Sequence, residues 1–144
     1  MPTALVTGAS DGIGKEFSNV LAERGYNLIL VARRKKRLED LANRLIKGFG
    51  INCSTLSHDL AKPEAARELF DSVSEMGLSV DFLVNNAGLL QNGFFKDVDL
   101  TKQENMMMVN MINLTVLTHL YANDMAARRS GYILNVASLT GLMP

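Results

Sequence analysis

The stretch Leu5-Val6-Thr7-Gly8-Ala9-Ser10-Asp11-Gly12-Ile13-Gly14 limits this chain more than any other. An apolar run ends in a glycine-rich turn, and the turn opens a helix. Gly8 suits a backbone angle that a residue with a Cβ would resist. Gly12 removes a side chain where a ligand backbone must come close, and Gly14 lets the new helix pack tightly on the strand. The free N–H groups and the dipole at such a helix start favour an anion, and a pyrophosphate fits. The spacing is Gly-x-x-x-Gly-x-Gly rather than the Gly-x-Gly-x-x-Gly of the better-known dinucleotide fingerprint. Nor is it a P-loop: Gly14-Lys15 runs on into Glu16, and Ala9 stands where a glycine is needed. Taken alone, the stretch also reads as a plain strand-to-helix turn.

Downstream, strands and helices alternate. Ala4 to Thr7 reads as a buried strand, and Gly12 to Arg24 as a helix with Phe17, Val20 and Leu21 on its inner face and Gly25 as its stop. Asn27 to Ala32 is a continuous apolar strand, the pattern of a parallel sheet covered on both faces. Lys35 to Lys47 reads as a helix with Leu38, Leu41, Leu45 and Ile46 inward, ended by Gly48 and Gly50. Ile51 to Ser57 is a third strand. Pro63 suits a first helical turn, and Glu64 to Met76 continues that helix. Val80 to Val84 is a fourth strand, Gln91 to Leu100 a loop, and Thr101 to about Arg129 a long helical stretch with an irregular start. A fifth strand covers Tyr132 to Val136. The alternation implies an α/β fold with right-handed crossovers and a doubly wound parallel sheet. A single domain over residues 1–144 is expected.

Composition narrows the function classes. With 15 basic and 15 acidic residues the formal charge is zero, which offers nucleic acid and anionic membrane surfaces no purchase. The single cysteine, Cys53, excludes an internal disulfide and reads as a buried structural thiol, so a reducing, cytoplasmic setting is expected. No signal peptide is expected from Met1-Pro2-Thr3-Ala4. The apolar segment Met106 to Ala122 is preceded by Asn105, is broken by Asn110, Asn113 and His119, and is too polar to span a bilayer. Met106, Met107, Met108 and Met111 read as core or helix–helix contact. His58 and His119 lack metal-ligand spacing, so no metal site is expected. Asn135-Val136-Ala137-Ser138 lacks the Gly-x-Ser-x-Gly of a hydrolase elbow.

Several motifs then fall in order, and the whole chain resembles the short-chain dehydrogenase/reductase family. Thr7-Gly8-x-x-x-Gly12-x-Gly14 looks like that family's cofactor loop, in the form seen in its ketoacyl and 17β-hydroxysteroid reductase branches. Asp59-Leu60 is similar to the acidic position that meets the adenine ring. Asn85-Asn86-Ala87-Gly88 matches the fourth-strand motif, Asn110 the helix asparagine that helps hold a relay water, and Ser138 the serine that ends the fifth strand. The resemblance implies an NAD(P)-binding Rossmann fold. Its cofactor contacts would be Thr7, Gly8, Ser10, Asp11, Gly12, Ile13, Gly14, Arg33, Arg34, Asp59, Leu60, Asn86, Ala87 and Gly88, with Ser138 and Asn110 as catalytic residues. Read singly, Asp59 is an ordinary turn or cap, Asn85 and Asn86 are turn formers, Asn110 is a kink or a solvated position, and Ser138 is a helix cap.

Ala32-Arg33-Arg34 carries no acid where NAD sites place a carboxylate for the ribose 2′-hydroxyl, and NADP sites place a cation there for the 2′-phosphate. NADP is therefore expected over NAD, with Arg33 the first choice because guanidinium suits phosphate. Both arginines also read as the start of a basic, solvated helix face. Asp11 stands where NADP-preferring relatives often carry a second cation. The resemblance also calls for a Tyr-x-x-x-Lys pair about a dozen residues past the serine. Tyr26, Tyr121 and Tyr132 are followed four residues on by Leu30, Met125 and Val136, so no such pair is present. The expectation is the cofactor-binding, N-terminal part of an oxidoreductase acting on a small carbonyl or alcohol, without turnover of its own. A non-catalytic binding module on the same fold is the alternative. The fifth strand is expected as an open edge, and Met107, Met111, Leu114 and Leu117 as a contact stripe. Together they imply a homo-oligomer or association with a C-terminal part.

Overall fold

A computed structural model describes residues 1–138; residues 139–144, the end of the expected 1–144 domain, lie outside the described residues. The elements in chain order are β1 (Thr3–Thr7), α1 (Gly12–Glu23), β2 (Asn27–Ala32), α2 (Lys35–Phe49), β3 (Cys53–Ser57), α3 (Ala65–Glu75), β4 (Phe82–Asn85), α4 (Leu100–Met107), a π-helical segment (Met108–Asn113), α5 (Leu114–Arg128) and β5 (Tyr132–Asn135). The strands form one parallel sheet in the order β3-β2-β1-β4-β5. Val6 sits between Leu30 and Val84 at its centre.

Strand alternation explains the two helical layers. Successive side chains of a strand point to opposite faces. Ala4, Val6, Leu28, Leu30 and Val84 pack under Leu21 and Ala22 of α1 and Leu38, Leu41 and Leu45 of α2. Leu5, Ile29, Val31 and Leu83 face the other way, onto Leu69 and Val73 of α3 and Leu117, Tyr121 and Met125 of α5. Both faces of β1 and β2 are thus sealed, which is why these strands read as unbroken apolar runs. Burying each Leu or Ile of this set contributes about 1.5–3 kcal/mol before conformational entropy is subtracted.

Several boundaries differ from the sequence expectations. α2 runs through Gly48 to Phe49 and stops only at Gly50, which takes φ +67° while its N–H donates to the Ile46 carbonyl. Pro63 lies ahead of α3 rather than in its first turn: the Ala65 N–H bonds the Lys62 carbonyl, Glu64 takes φ 59°, and the helix begins after that turn. β4 starts at Phe82, because Asp81 is held by Thr3, its N–H on the Thr3 carbonyl and its carboxylate on the Thr3 N–H. α1 buries Gly14, Ser18, Leu21 and Ala22, leaving Val20 exposed and Phe17 half-buried. Ile46 is exposed too.

The methionine run is not core. Met107 and Met111 are 47% and 61% exposed, Met106 and Met108 are half-buried, and Leu117 is buried. The π-helical segment between them widens the turn to i→i+5 and shifts the helix face, so simple helical spacing does not carry from Met107 to Leu117. β5 is an outer strand of the sheet, with Tyr132 exposed. Among the described residues, no helix is long and apolar enough to cross a membrane, and no group of three or more His, Cys, Asp or Glu could hold a metal ion.

Candidate functional site

Because all five strands are parallel, every segment that follows a strand emerges at the same edge of the sheet. A cleft of about 410 Å³ opens at that edge, between the loops after β1, β2, β3 and β4. It lies where ligands bind in open α/β sheets, outside the carboxyl ends of the strands.

The β1–α1 turn forms its floor. Gly8 has φ +67°, and a Cβ there would lie 2.8 Å from Asn86 Nδ2 and 3.0 Å from Ala87 Cα. A Cβ on Gly14 would run into the Gly8 carbonyl and the Asn86 amide nitrogen. Gly14 is the close approach of helix to turn, as the sequence suggests. Gly12 has φ +51° with nothing within 4 Å of a would-be Cβ, so its missing side chain leaves open space at the mouth of the cleft. Asp11 caps α1, its Oδ1 accepting from the Gly12 N–H at 2.9 Å. The turn is tied to β2 by the Ala9 N–H on the Val31 carbonyl at 3.2 Å.

Thr7 does not line the cleft; it is buried beneath it. Its hydroxyl donates to the Val84 carbonyl at 3.3 Å and accepts from the Asn86 and Ala87 N–H groups at 3.0 Å each. Asn86 replies with Nδ2 donating to the Thr7 carbonyl at 3.0 Å and to the Gly8 carbonyl at 3.4 Å. The β1 turn and the Asn-Asn-Ala-Gly motif are therefore one hydrogen-bonded unit. Asn85 locks the next strand, donating to Thr118 Oγ1 at 2.9 Å and Asn135 Oδ1 at 2.8 Å.

The other walls come from β2 and β3. Arg33 and Arg34 border the cleft at the end of β2. Arg34 Nη2 donates to Ser10 Oγ at 3.2 Å and to Asp11 Oδ2 at 3.3 Å, while Arg37 Nη1 donates to the same Asp11 oxygen at 2.8 Å. The Gly12 N–H and then the Arg37 and Arg34 charges hold the Asp11 carboxyl below its usual pKa. Asp59 and Leu60 line the cleft, and Asp59 Oδ1 accepts from the Ala61 N–H at 3.1 Å in a local turn.

Of the residues expected to meet a cofactor, Gly8, Ser10, Asp11, Gly12, Arg33, Arg34, Asp59, Leu60, Asn86, Ala87 and Gly88 line this one cleft. Gly14 packs behind it. Ile13 is 61% exposed and lies beside Phe17 and Val20 on the outer side of α1, not in the cleft. Its side chain points away, while its backbone N–H is among the free donors of the first turn of α1. Ser138 is exposed at the end of the described residues, beyond β5 on the same sheet edge. Asn110 lies outside the lining, and its side chain holds the Leu89 backbone.

Two features of the site, one lining the cleft and one behind it, were missed in the sequence. His58 forms part of the wall, its Nε2 donating to the Ala65 carbonyl at 2.7 Å. Asn113, 2% exposed, ties down the loop after β3: Nδ2 donates to the Leu60 and Lys62 carbonyls at 2.8 Å each, and Oδ1 accepts from the Ala66 N–H at 3.1 Å. An asparagine three residues after Asn110 inside an apolar helix was the signal available.

The set fits a dinucleotide. Open space stands over Gly12 at a helix start for a pyrophosphate, cations border the β2 end, and the carboxylate of Asp59 lies beyond β3 for an adenine or ribose donor. The short chain dehydrogenase family model matches residues 2–144. The very-long-chain 3-oxoacyl-CoA reductase of Phaeosphaeria nodorum is 38% identical over 147 residues, covering 98% of this chain and 42% of the relative. The 7beta-hydroxysteroid dehydrogenase of Collinsella aerofaciens is 32% identical over 138 residues, covering 96% of this chain and 52% of the relative. Among solved structures, the short-chain dehydrogenase from Sphingobium yanoikuyae in complex with NADPH superposes with a TM-score of 0.93 at 35% identity, covering 100% of this chain and 56% of that one. The chain spans about half the length of the curated relatives it matches. Glycine turn, Asn-Asn-Ala-Gly motif, strand order and similarity agree: the chain belongs to the short-chain dehydrogenase/reductase family, an oxidoreductase family with an NAD(P)-binding Rossmann fold.

Proposed function

We propose that the protein is an NADP(H)-dependent oxidoreductase, of which this chain is the cofactor-binding part, acting on a ketone or secondary alcohol in the cytoplasm. The observation that carries the reading is the pair Arg33 and Arg34 at the cleft, at the end of a β2 that offers no carboxylate. The NADPH complex of the Sphingobium relative supports the same cofactor. The dinucleotide, when bound, supplies or takes the hydride. Around it, the N–H groups at the start of α1 bind the pyrophosphate, and Asp59 accepts from the adenosine end. Arg33 bonds the 2′-phosphate; among the described residues its guanidinium has no hydrogen bond or ion pair to give up. Ser138 donates to the substrate oxygen. Asn110 supports proton relay as a positioning residue, by holding the Leu89 peptide beside Gly88.

Calorimetry tests the cofactor. NADPH binds more tightly than NADH, and Arg33→Ala removes most of the difference, about 1.5–3 kcal/mol for a charge-assisted bond. Equal affinities in the unmutated protein would rule the reading out. The open edge of β5 and the exposed Met107 and Met111 support association with a second copy or with a C-terminal part. A single monomer in sedimentation at micromolar concentration would speak against that.

A further inference from the structure

The arginines around the cleft are not equivalent. Arg33 is unpaired among the described residues, whereas Arg34 and Arg37 converge on one oxygen, Asp11 Oδ2, at 3.3 and 2.8 Å. Arg37 reaches it because it lies one turn on from Arg34 along α2 and so shares its face. Ser10, Asp11 and Arg34 line the cleft, so the convergence occurs at its corner. A carboxylate oxygen held by two guanidinium groups occupies the place that an oxygen of a phosphate monoester would take, since both accept charge-assisted bonds from the same donors.

We propose that Asp11 is a built-in competitor for the 2′-phosphate: its carboxylate occupies Arg34 and Arg37, and the phosphate takes these two groups from it. The inference rests on the NADP reading above. Asp11, Arg34 and Arg37 have side chains 64%, 51% and 53% exposed, so the internal pairs are weak in water and exchange readily. A dianion attracts the two cations more strongly than a monoanion does, but the carboxylate stays nearby on the rigid start of α1 and repels the phosphate. Arg37 is thereby a further phosphate ligand, and Asp11 limits the preference for NADPH over NADH.

The charge of Asp11 can be separated from its capping bond to the Gly12 N–H, because asparagine caps a helix equally well. Calorimetry at low salt with NADPH, NADH, 2′,5′-ADP and 5′-AMP gives the test. Asp11→Asn tightens the two ligands that carry a 2′-phosphate about fivefold relative to NADH and 5′-AMP, the scale of an exposed charge pair. Arg37→Gln weakens the 2′-phosphate ligands alone, and in that background Asp11→Asn gains less than half as much. If Asp11→Asn does not fold, Asp11→Ser, also a good cap, carries the same comparison. A folded position-11 variant with unchanged or reduced preference for the 2′-phosphate overturns the inference, as does an Arg37→Gln variant that binds all four ligands like the parent. A parent protein with no preference for the 2′-phosphate, indifferent to Arg33→Ala, overturns the NADP reading itself. A clear preference that ignores Asp11 overturns only this inference.

Discussion

Asn110 holds both ends of the Leu89 residue: its Oδ1 accepts from the Leu89 N–H at 2.9 Å and its Nδ2 donates to the Leu89 carbonyl at 2.8 Å. Three residues on, Asn113 does the same service for the loop after β3 through Leu60, Lys62 and Ala66. Leu60 and Leu89 line the same cleft. The π-helical segment Met108–Asn113 thus holds the loops after β3 and β4, and its Val109 lines the cleft directly.

The two asparagines should differ in weight. Asn113 is buried and makes three bonds, so Asn113→Ala strands partners in the interior and lowers unfolding free energy by about 3 kcal/mol. Asn110 is exposed, water replaces it, and Asn110→Ala costs about 1 kcal/mol. Urea unfolding followed by circular dichroism checks both. An Asn113→Ala variant as stable as the parent would contradict the tie.

Two glycines in one loop should respond in opposite ways. Ala normally improves a helix by about 1 kcal/mol over Gly, yet Gly14→Ala should destabilise, because its Cβ meets the Gly8 carbonyl and the Asn86 amide, both fixed by the Thr7 bonds. Gly12→Ala meets nothing within 4 Å and carries only the strain of φ +51°, about 1 kcal/mol. Thermal melts should therefore show a large drop for Gly14→Ala and a small one for Gly12→Ala, the latter with weakened nucleotide binding. Equal melts would sink the argument.

Cys53 should be inert at neutral pH. Burial on β3 against the α1 and α2 layer pushes its thiol from 9.0 up to about 12. A raised acid pKa means that the fold favours the neutral thiol. Its contribution is full below pH 9.0 and is lost as pH climbs from there towards about 12. At pH 8 the native thiolate fraction is roughly a thousandfold below that of the unfolded chain. Iodoacetamide should label Cys53 in urea and spare it in buffer; equal rates would show that the thiol is not shielded.

The strands, their parallel arrangement and the glycine turn were legible because they rest on local signals. Unbroken apolar runs such as Leu28 to Val31, bounded by turn residues, suit strands buried on both faces. Gly8, directly after an apolar strand, suits the positive φ that it takes. Local signals are silent about which side of a turn meets a neighbour. Val20 and Met111 are apolar at plausible spacing, and only the packing of α1 and the π-helical shift left them exposed. Pro63 was suited to a helix start, but the turn closed by the Lys62 carbonyl and the grip of Asn113 on Ala66 placed that start later. Asn113 reaching Leu60, or Arg37 reaching Asp11, joins residues that are distant in the chain. Such pairs exist only once the sheet has gathered its loops at one edge. Sequence spacing cannot encode them, because hydrogen bonds and ion pairs act through distance in space, and that distance is set by strand order and helix rotation.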